Sequence, residues 1–309
     1  MASDWRVQIG PLIWPTPISL ASGTCGWGEE LEGLVDWRAV GAIFTKGLSL
    51  QPRAGHPPPR IWETASGMLN AIGLENPGLD GFVRDKLPFL RRFRQLHGGA
   101  VVVNLFGTQA AEYAQLAGHL DALEGVDGVE INLSCPNVEA GGLEFGRSPA
   151  AVYEVTAAVR RATTKFIAVK LSPASPVLEL AEASRRAGAD ALCMGNTMPG
   201  MSLDVQRRCS RLAAGSGGLS GPALRPINLR WVSQLFAAGS LPIIGIGGIG
   251  CGNDAAEYVL AGASAVQVGT ASFAQPNAAA DIFAELVTYL KAQPESLTEL
   301  VGAGTAPQC

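Results

Sequence analysis

The chain is short of charge, short of histidine and lacks paired cysteines, and each shortage removes a class of function. Only 16% of its 309 residues are charged while 47% are hydrophobic, which excludes an intrinsically disordered chain. Net charge is −4, and the one basic run, Arg91-Arg92-Phe93-Arg94, reads as a solvated helix face rather than a footprint for nucleic acid. The six cysteines (Cys25, Cys135, Cys193, Cys209, Cys251, Cys309) form no Cys-x-x-Cys pair. That argues against zinc or an iron–sulfur cluster held by this chain alone. The three histidines, His56, His97 and His119, make no metal motif, and His56 among its prolines reads as a loop residue. No stretch reaches the roughly 20 apolar residues of a spanning helix. The first residues show no basic segment followed by an apolar run, so no secretory signal is read there. A cytoplasmic location with reduced thiols is the expectation.

Glycine and proline are plentiful, with 38 and 20 copies, which suits many short connections. After a short hairpin expected within Trp5 to Ile13, apolar runs alternate with helical patterns, the mark of successive βα units. Strands are predicted at Ile18–Ser22, Ala42–Lys46, Val101–Asn104, Val129–Ser134, Ile167–Lys170, Ala191–Asn196, Ile243–Gly247 and Ala265–Gly269. Amphipathic helices are predicted between them, for example over Ala110 to Leu123 and Val177 to Ala187. Eight such units fit an α/β fold of the TIM (β/α)8 barrel type. The expected variant has a short N-terminal hairpin and inserted loops at the C-terminal face, and residues 1–309 form one domain.

Each predicted strand is apolar and then ends on a polar or very small residue: Ser22-Gly23, Lys46, Asn104, Asn132, Lys170, Asn196, Gly247-Gly248 and Gly269-Thr270. In an eight-stranded parallel barrel the catalytic face is the one where strands end. Taken together, these residues describe a mouth lined with donors and small side chains.

The last two units suggest what the mouth holds. Ile243 to Gly250 is glycine-rich ahead of a helix, and Val266 to Ala271 closes the barrel; loops after strands seven and eight commonly hold a phosphate. Gly217-Gly218-Leu219-Ser220-Gly221 adds a further set of donors. Gly245 to Gly250 also loosely mimics a Rossmann fingerprint, but its place late in a string of βα units favours a phosphate-bearing cofactor in a barrel mouth. Lys46 and Lys170 end strands two and five. Buried lysines need an anionic partner, which a substrate carboxylate or an electron-rich ring would provide. A reduced flavin is such a ring.

The stretch around which the rest is organised is Val129-Glu130-Ile131-Asn132-Leu133-Ser134-Cys135-Pro136-Asn137. A buried-strand pattern there runs into a loop that presents a thiol between carboxamides. Gly141-Gly142 and Phe145-Gly146 follow, giving a segment expected to move over a pocket.

These motifs resemble class 1 dihydroorotate dehydrogenase. The resemblance runs from about Pro15 to Tyr289. It rests on Ala21-Ser22-Gly23-Thr24, Phe44-Thr45-Lys46-Gly47, Glu63 to Leu74, Asn132 to Asn137, Asn196-Thr197-Met198-Pro199-Gly200-Met201, Gly217 to Pro222 and the two late glycine segments. It implies an FMN enzyme of pyrimidine (UMP) biosynthesis that oxidises dihydroorotate to orotate. Cys135 would be the base that removes the C5 proton while the C6 hydride goes to FMN N5; the membrane-associated class has a serine there. Substrate contacts would come from Lys46, Met68, Asn70, Ile72, Gly73, Leu74, Asn132, Asn137, Asn196 and Thr197. FMN contacts would come from Ala21, Ser22, Gly23, Thr45, Lys46, Asn104, Asn132, Lys170, Gly195, Gly221, Gly247, Gly248, Gly269 and Thr270. No metal ligand is implied. Asparagine amides suit such a ring because they both donate and accept without charge.

Pro52 to Arg60 and Val138 to Gly146 look like the NAD-linked class 1B. In that class the catalytic chain, expected as a homodimer, joins an electron-transfer subunit carrying FAD and a [2Fe–2S] cluster, making a heterotetramer. Cys25 departs from the aromatic residue usual in the family, which bears on packing beside the flavin. Three other readings stay open: a class 1A homodimer reoxidised by fumarate, a related FMN barrel acting on another pyrimidine, as in dihydropyrimidine dehydrogenase, and a non-redox phosphate-binding barrel.

Overall fold

A computed structural model describes residues 5–133 and 148–305. The chain enters through a hairpin, β1 (Val7–Ile9) paired with β2 (Leu12–Trp14). Ile9 and Trp14 are wholly buried, and Gly10 packs on Asp190 and Phe166, where two barrel strands begin. The hairpin therefore plugs the N-terminal end of the barrel and leaves the opposite end open.

The strands that follow are, in chain order, β3 (Ile18–Leu20), β4 (Ala42–Phe44), β5 (Ile61–Thr64), β6 (Gly67–Asn70), β7 (Ala100–Leu105), β8 (Gly128–Asn132), β9 (Phe166–Leu171) and β10 (Ala191–Met194). After them come β11 (Met198–Gly200), β12 (Leu203–Asp204), β13 (Cys209–Ser210), β14 (Gly217–Ser220), β15 (Ile243–Ile246) and β16 (Ala265–Val268). Eight of these, β3, β4, β7, β8, β9, β10, β15 and β16, pair in parallel and close into a barrel in that order. They read as near-continuous apolar runs because both faces are covered, the inner by other strands and the outer by helices. Each fully buried Val, Leu or Ile contributes about 1.5–3 kcal/mol.

The principal outer helices are α2 (Leu87–His97), α3 (Ala110–Asp121), α4 (Pro149–Ala162), α5 (Val177–Arg186), α6 (Arg225–Ala237), α7 (Gly252–Ala261) and α9 (Ala278–Lys291). Short turns α1 (Gly78–Gly81), α8 (Ala271–Ala274) and α10 (Leu297–Leu300) complete the set. Helix α4 starts on a Ser148 cap whose hydroxyl accepts from the Ala151 N–H, with Pro149 in the first turn. Helix α2 ends at left-handed Gly98. Its Arg91, Arg92 and Arg94 are exposed around buried Phe93, as the sequence pattern predicts.

Two details differ from expectation. Several predicted barrel strands run past the regular ladder, for instance to Ser22, Lys46, Asn196, Gly247 and Gly269, since β3 ends at Leu20, β4 at Phe44, β10 at Met194, β15 at Ile246 and β16 at Val268. The backbone still bonds onward there, with Thr45 N–H donating to Val102 O at 3.0 Å. Second, the insertions after the second and sixth barrel strands are more than loops. They form a four-stranded antiparallel sheet, β11-β14-β6-β5, over the open end of the barrel.

Candidate active site

A cavity of about 680 Å³ lies where the barrel strands end, walled on one side by the antiparallel sheet. Five strand-exit residues from five different strands meet in its wall: Lys46, Asn104, Asn132, Lys170 and Asn196. The alternation of the strands explains their direction. In β9 the apolar Ile167, Val169 and Leu171 take one face and Lys170 the other, so the lysine faces inward while remaining 7% exposed. Ladder register then sets neighbours: Asn104 lies opposite Glu130, Asn132 opposite Lys170, and Lys170 opposite Cys193.

Of the residues singled out in the sequence, Ser22, Gly23, Met68, Asn70, Ile72, Gly73, Leu74 and Thr197 also line the cavity. Asn70 sits on β6, and its Nδ2 donates to Gly218 O at 3.3 Å, tying it to β14. Asn196 Oδ1 accepts from the Thr197 N–H at 2.8 Å, fixing that turn at the end of β10. Ala21, Thr45, Gly195, Gly221, Gly247, Gly248, Gly269 and Thr270 do not form the wall of this cavity. Several of them brace it. Thr45 Oγ1 accepts from the Asn104 N–H at 3.3 Å, and Thr270 Oγ1 donates to Ser220 Oγ at 2.8 Å, with Ser220 itself in the wall. Cys135 and Asn137 lie outside the described residues.

Sequence reasoning passed over other wall residues. His56, read as a loop residue, is in a loop but also lines the cavity, with Nδ1 3.1 Å from Ala71 O. Ser172, Ser175, Ser216 and Phe273 join it. Below the wall, Glu130 and Gln267 are fully buried. A charged residue inside a run such as Val129-Glu130-Ile131 was the signal that could have flagged the first of them.

The electrostatics are cationic at two points. Lys46 Nζ stands 3.9 Å from Glu75, which also binds Arg60; these cations, the Arg60 hydrogen bond foremost, hold the Glu75 carboxyl below the usual range. Lys170 Nζ stands 3.9 Å from Glu130. Two thiols near the centre are held protonated: burial pushes Cys25 up to about 12 and Cys193 well above its ordinary value.

The arrangement fits a flavin phosphate ester. Asn104 Oδ1 is buried in the wall with no hydrogen-bond partner among the described residues, an acceptor waiting for a donor. Gly248 has φ +73°, and a Cβ there would lie 3.0 Å from Gly221 O, so two backbone segments close on each other as in a phosphate cradle. Among the described residues, no three His, Cys, Asp or Glu side chains gather as a metal site, and no helix is long and apolar enough to cross a membrane.

Comparison with known proteins agrees with this geometry. The family model described as Dihydroorotate dehydrogenase matches residues 6–290. The chain is 50% identical over 302 residues to the "Dihydroorotate dehydrogenase B (NAD(+)), catalytic subunit" of Geotalea uraniireducens (strain Rf4), covering 97% of this chain and 98% of that one. It is 51% identical, with the same coverage, to the protein of that name from Geobacter sulfurreducens. Among solved structures it is similar to a dihydroorotate dehydrogenase of Eimeria tenella in complex with ferulenol. The TM-score is 0.80 at 23% identity, covering 98% of this chain and 89% of that one, a likeness of fold. The chain belongs to the dihydroorotate dehydrogenase family of flavin-dependent oxidoreductases.

Proposed function

We propose that this chain oxidises dihydroorotate to orotate with FMN as its own cofactor. NAD⁺ is reached through a partner subunit carrying FAD and a [2Fe–2S] cluster. The observation that carries this reading is the meeting of Lys46, Asn104, Asn132, Lys170 and Asn196 in one cavity large enough for a flavin ring and a small ligand. The relatives' name, catalytic subunit of an NAD(+) enzyme, supports the partner.

In this reading Asn70, Asn132, Asn137, Asn196 and Thr197 hold the pyrimidine ring through neutral donors and acceptors, flanked by Met68, Ile72, Gly73 and Leu74. Lys46 meets the substrate carboxylate and the edge of the flavin. Ser22, Gly23, Asn104 and Lys170 hold the flavin, with Ala21, Thr45 and Gly195 bracing the strand ends. Gly221, Gly247, Gly248, Gly269 and Thr270 take the phosphate on backbone N–H groups and one hydroxyl. Bound FMN supplies the acceptor for the hydride that leaves C6. Cys135 Sγ, as the thiolate, takes the C5 proton from the opposite face.

The test is an acceptor and substrate panel on the purified chain. Orotate should form from dihydroorotate with an artificial dye, whereas dihydrouracil should be inert. Reduction of NAD⁺ should need the partner subunit. Fast turnover with fumarate alone would overturn the NAD-linked part, and preference for dihydrouracil would overturn the substrate.

A further inference from the structure

Glu130 is left unassigned by that chemistry, yet it occupies the centre of the barrel. It is fully buried between Val129 and Ile131, also fully buried, and a carboxylate in such a place is costly unless it is paired. Its partners come from four other strands, the buried Cys193 thiol of β10 among them. Oε2 lies 3.9 Å from Lys170 Nζ on β9 and accepts from Asn104 Nδ2 on β7; Oε1 lies 3.5 Å from Gln267 Nε2 on β16. In the barrel order β16 stands diametrically across from β8, so Gln267 reaches Glu130 through the interior. Two of these partners, Lys170 and Asn104, are in the cavity wall, and Glu130 is not.

At 3.9 Å the carboxylate attracts the ammonium without sharing a hydrogen bond, which leaves the lysine donors for an acceptor in the cavity. Its bond to Asn104 Nδ2 leaves that amide's Oδ1 as the buried acceptor without a partner. One buried acid thus orients both wall residues from beneath. We propose that Glu130 is a positioning residue and counter-charge for the flavin site, holding Lys170 and Asn104 in place and offsetting part of the lysine's pull on the electron-rich reduced ring. This rests on the flavin reading above.

The consequence has a sign. Removing the negative charge while keeping the lysine leaves the cavity floor more positive, which favours the reduced flavin. The measurement is the equilibrium midpoint of FMN in the purified holoprotein, read against a reference dye, for wild type, Glu130→Gln and Glu130→Asp. In Glu130→Gln the ratio of reduced to oxidised flavin at a fixed poise should rise about tenfold, or about 30 mV for a two-electron couple. Glu130→Asp keeps the charge and should stay within threefold of wild type. A Glu130→Gln ratio within threefold of wild type, with only the melting temperature changed, would reduce Glu130 to a structural role and overturn the proposal. If Glu130→Gln does not fold, Lys170→Met is compared with Lys170→Met/Glu130→Met, since a buried pair replaced by apolar side chains is often tolerated. The double variant should hold about tenfold more reduced flavin than the single, and equal values would overturn the proposal. Failure of the wild-type chain to bind FMN at all would remove the flavin reading before any variant is made.

Discussion

The Tyr113 hydroxyl of α3 donates a 2.9 Å hydrogen bond to the main-chain carbonyl of Asn132, the last residue of β8. Tyr113 is itself 1% exposed, so the bond is made inside the core and ties a helix to the strand end from which the Cys135 segment departs. Tyr113→Phe would remove that bond at a cost of about 1 kcal/mol. For a chain of this size we expect a fall in melting temperature of about 2 °C. Orotate affinity should weaken with it, since Asn132 loses its brace; calorimetry of the folded variant reads both effects.

Cys135→Ser should retain FMN and orotate binding while slowing flavin reduction by on the order of 10²-fold or more, the usual span for a lost general base. Stopped-flow reduction by dihydroorotate at neutral pH is the check. Rates equal to wild type would take Cys135 out of the mechanism.

Cys25 offers the control for pH. Its thiol, shielded mainly by burial, is pushed from an ordinary value of 9.0 to about 12 and therefore stays protonated through neutral pH. Cys25→Ala should leave the rise of activity with pH where it is, because the proposed function assigns that rise to Cys135. The folded state keeps the Cys25 proton over a range where the unfolded chain loses it. The thiol's burial therefore supports the fold fully below about pH 9 and progressively less as pH climbs towards about 12. Unfolding curves between pH 8 and 11 should show a shallower alkaline loss in Cys25→Ala than in wild type.

Gly218→Ala tests the link between the antiparallel sheet and the ring-binding residues. A Cβ at 218 would sit 2.1 Å from Thr197 Oγ1, so the threonine must move. The variant should raise KM for dihydroorotate several-fold, with FMN affinity within twofold of wild type. Loss of FMN instead would show that β14 serves the cofactor rather than the substrate.

Much of the site was legible because a parallel strand buried on both faces is apolar until it leaves the sheet. Lys46, Asn104, Asn132, Lys170 and Asn196 stood out against that background, and all five line the cavity. The antiparallel sheet was not legible. Its central pairing joins Asn70 to Gly218, which are distant in the chain, and β14 is Gly-Gly-Leu-Ser, a run with little strand propensity. His56 hid for a related reason: a proline-rich loop is readable as a loop, but what it faces depends on β6 and on Ala71 folding back to meet it. Glu130 was seen within its strand, yet its importance depends on Gln267 from across the barrel, a contact no local pattern encodes.

The most direct test of the central claim is anaerobic addition of dihydroorotate to the purified holoprotein while the flavin band is followed. The proposed function predicts stoichiometric bleaching and one orotate formed per flavin. An oxidised flavin spectrum that dihydroorotate leaves unchanged, in protein shown to bind orotate, would contradict it.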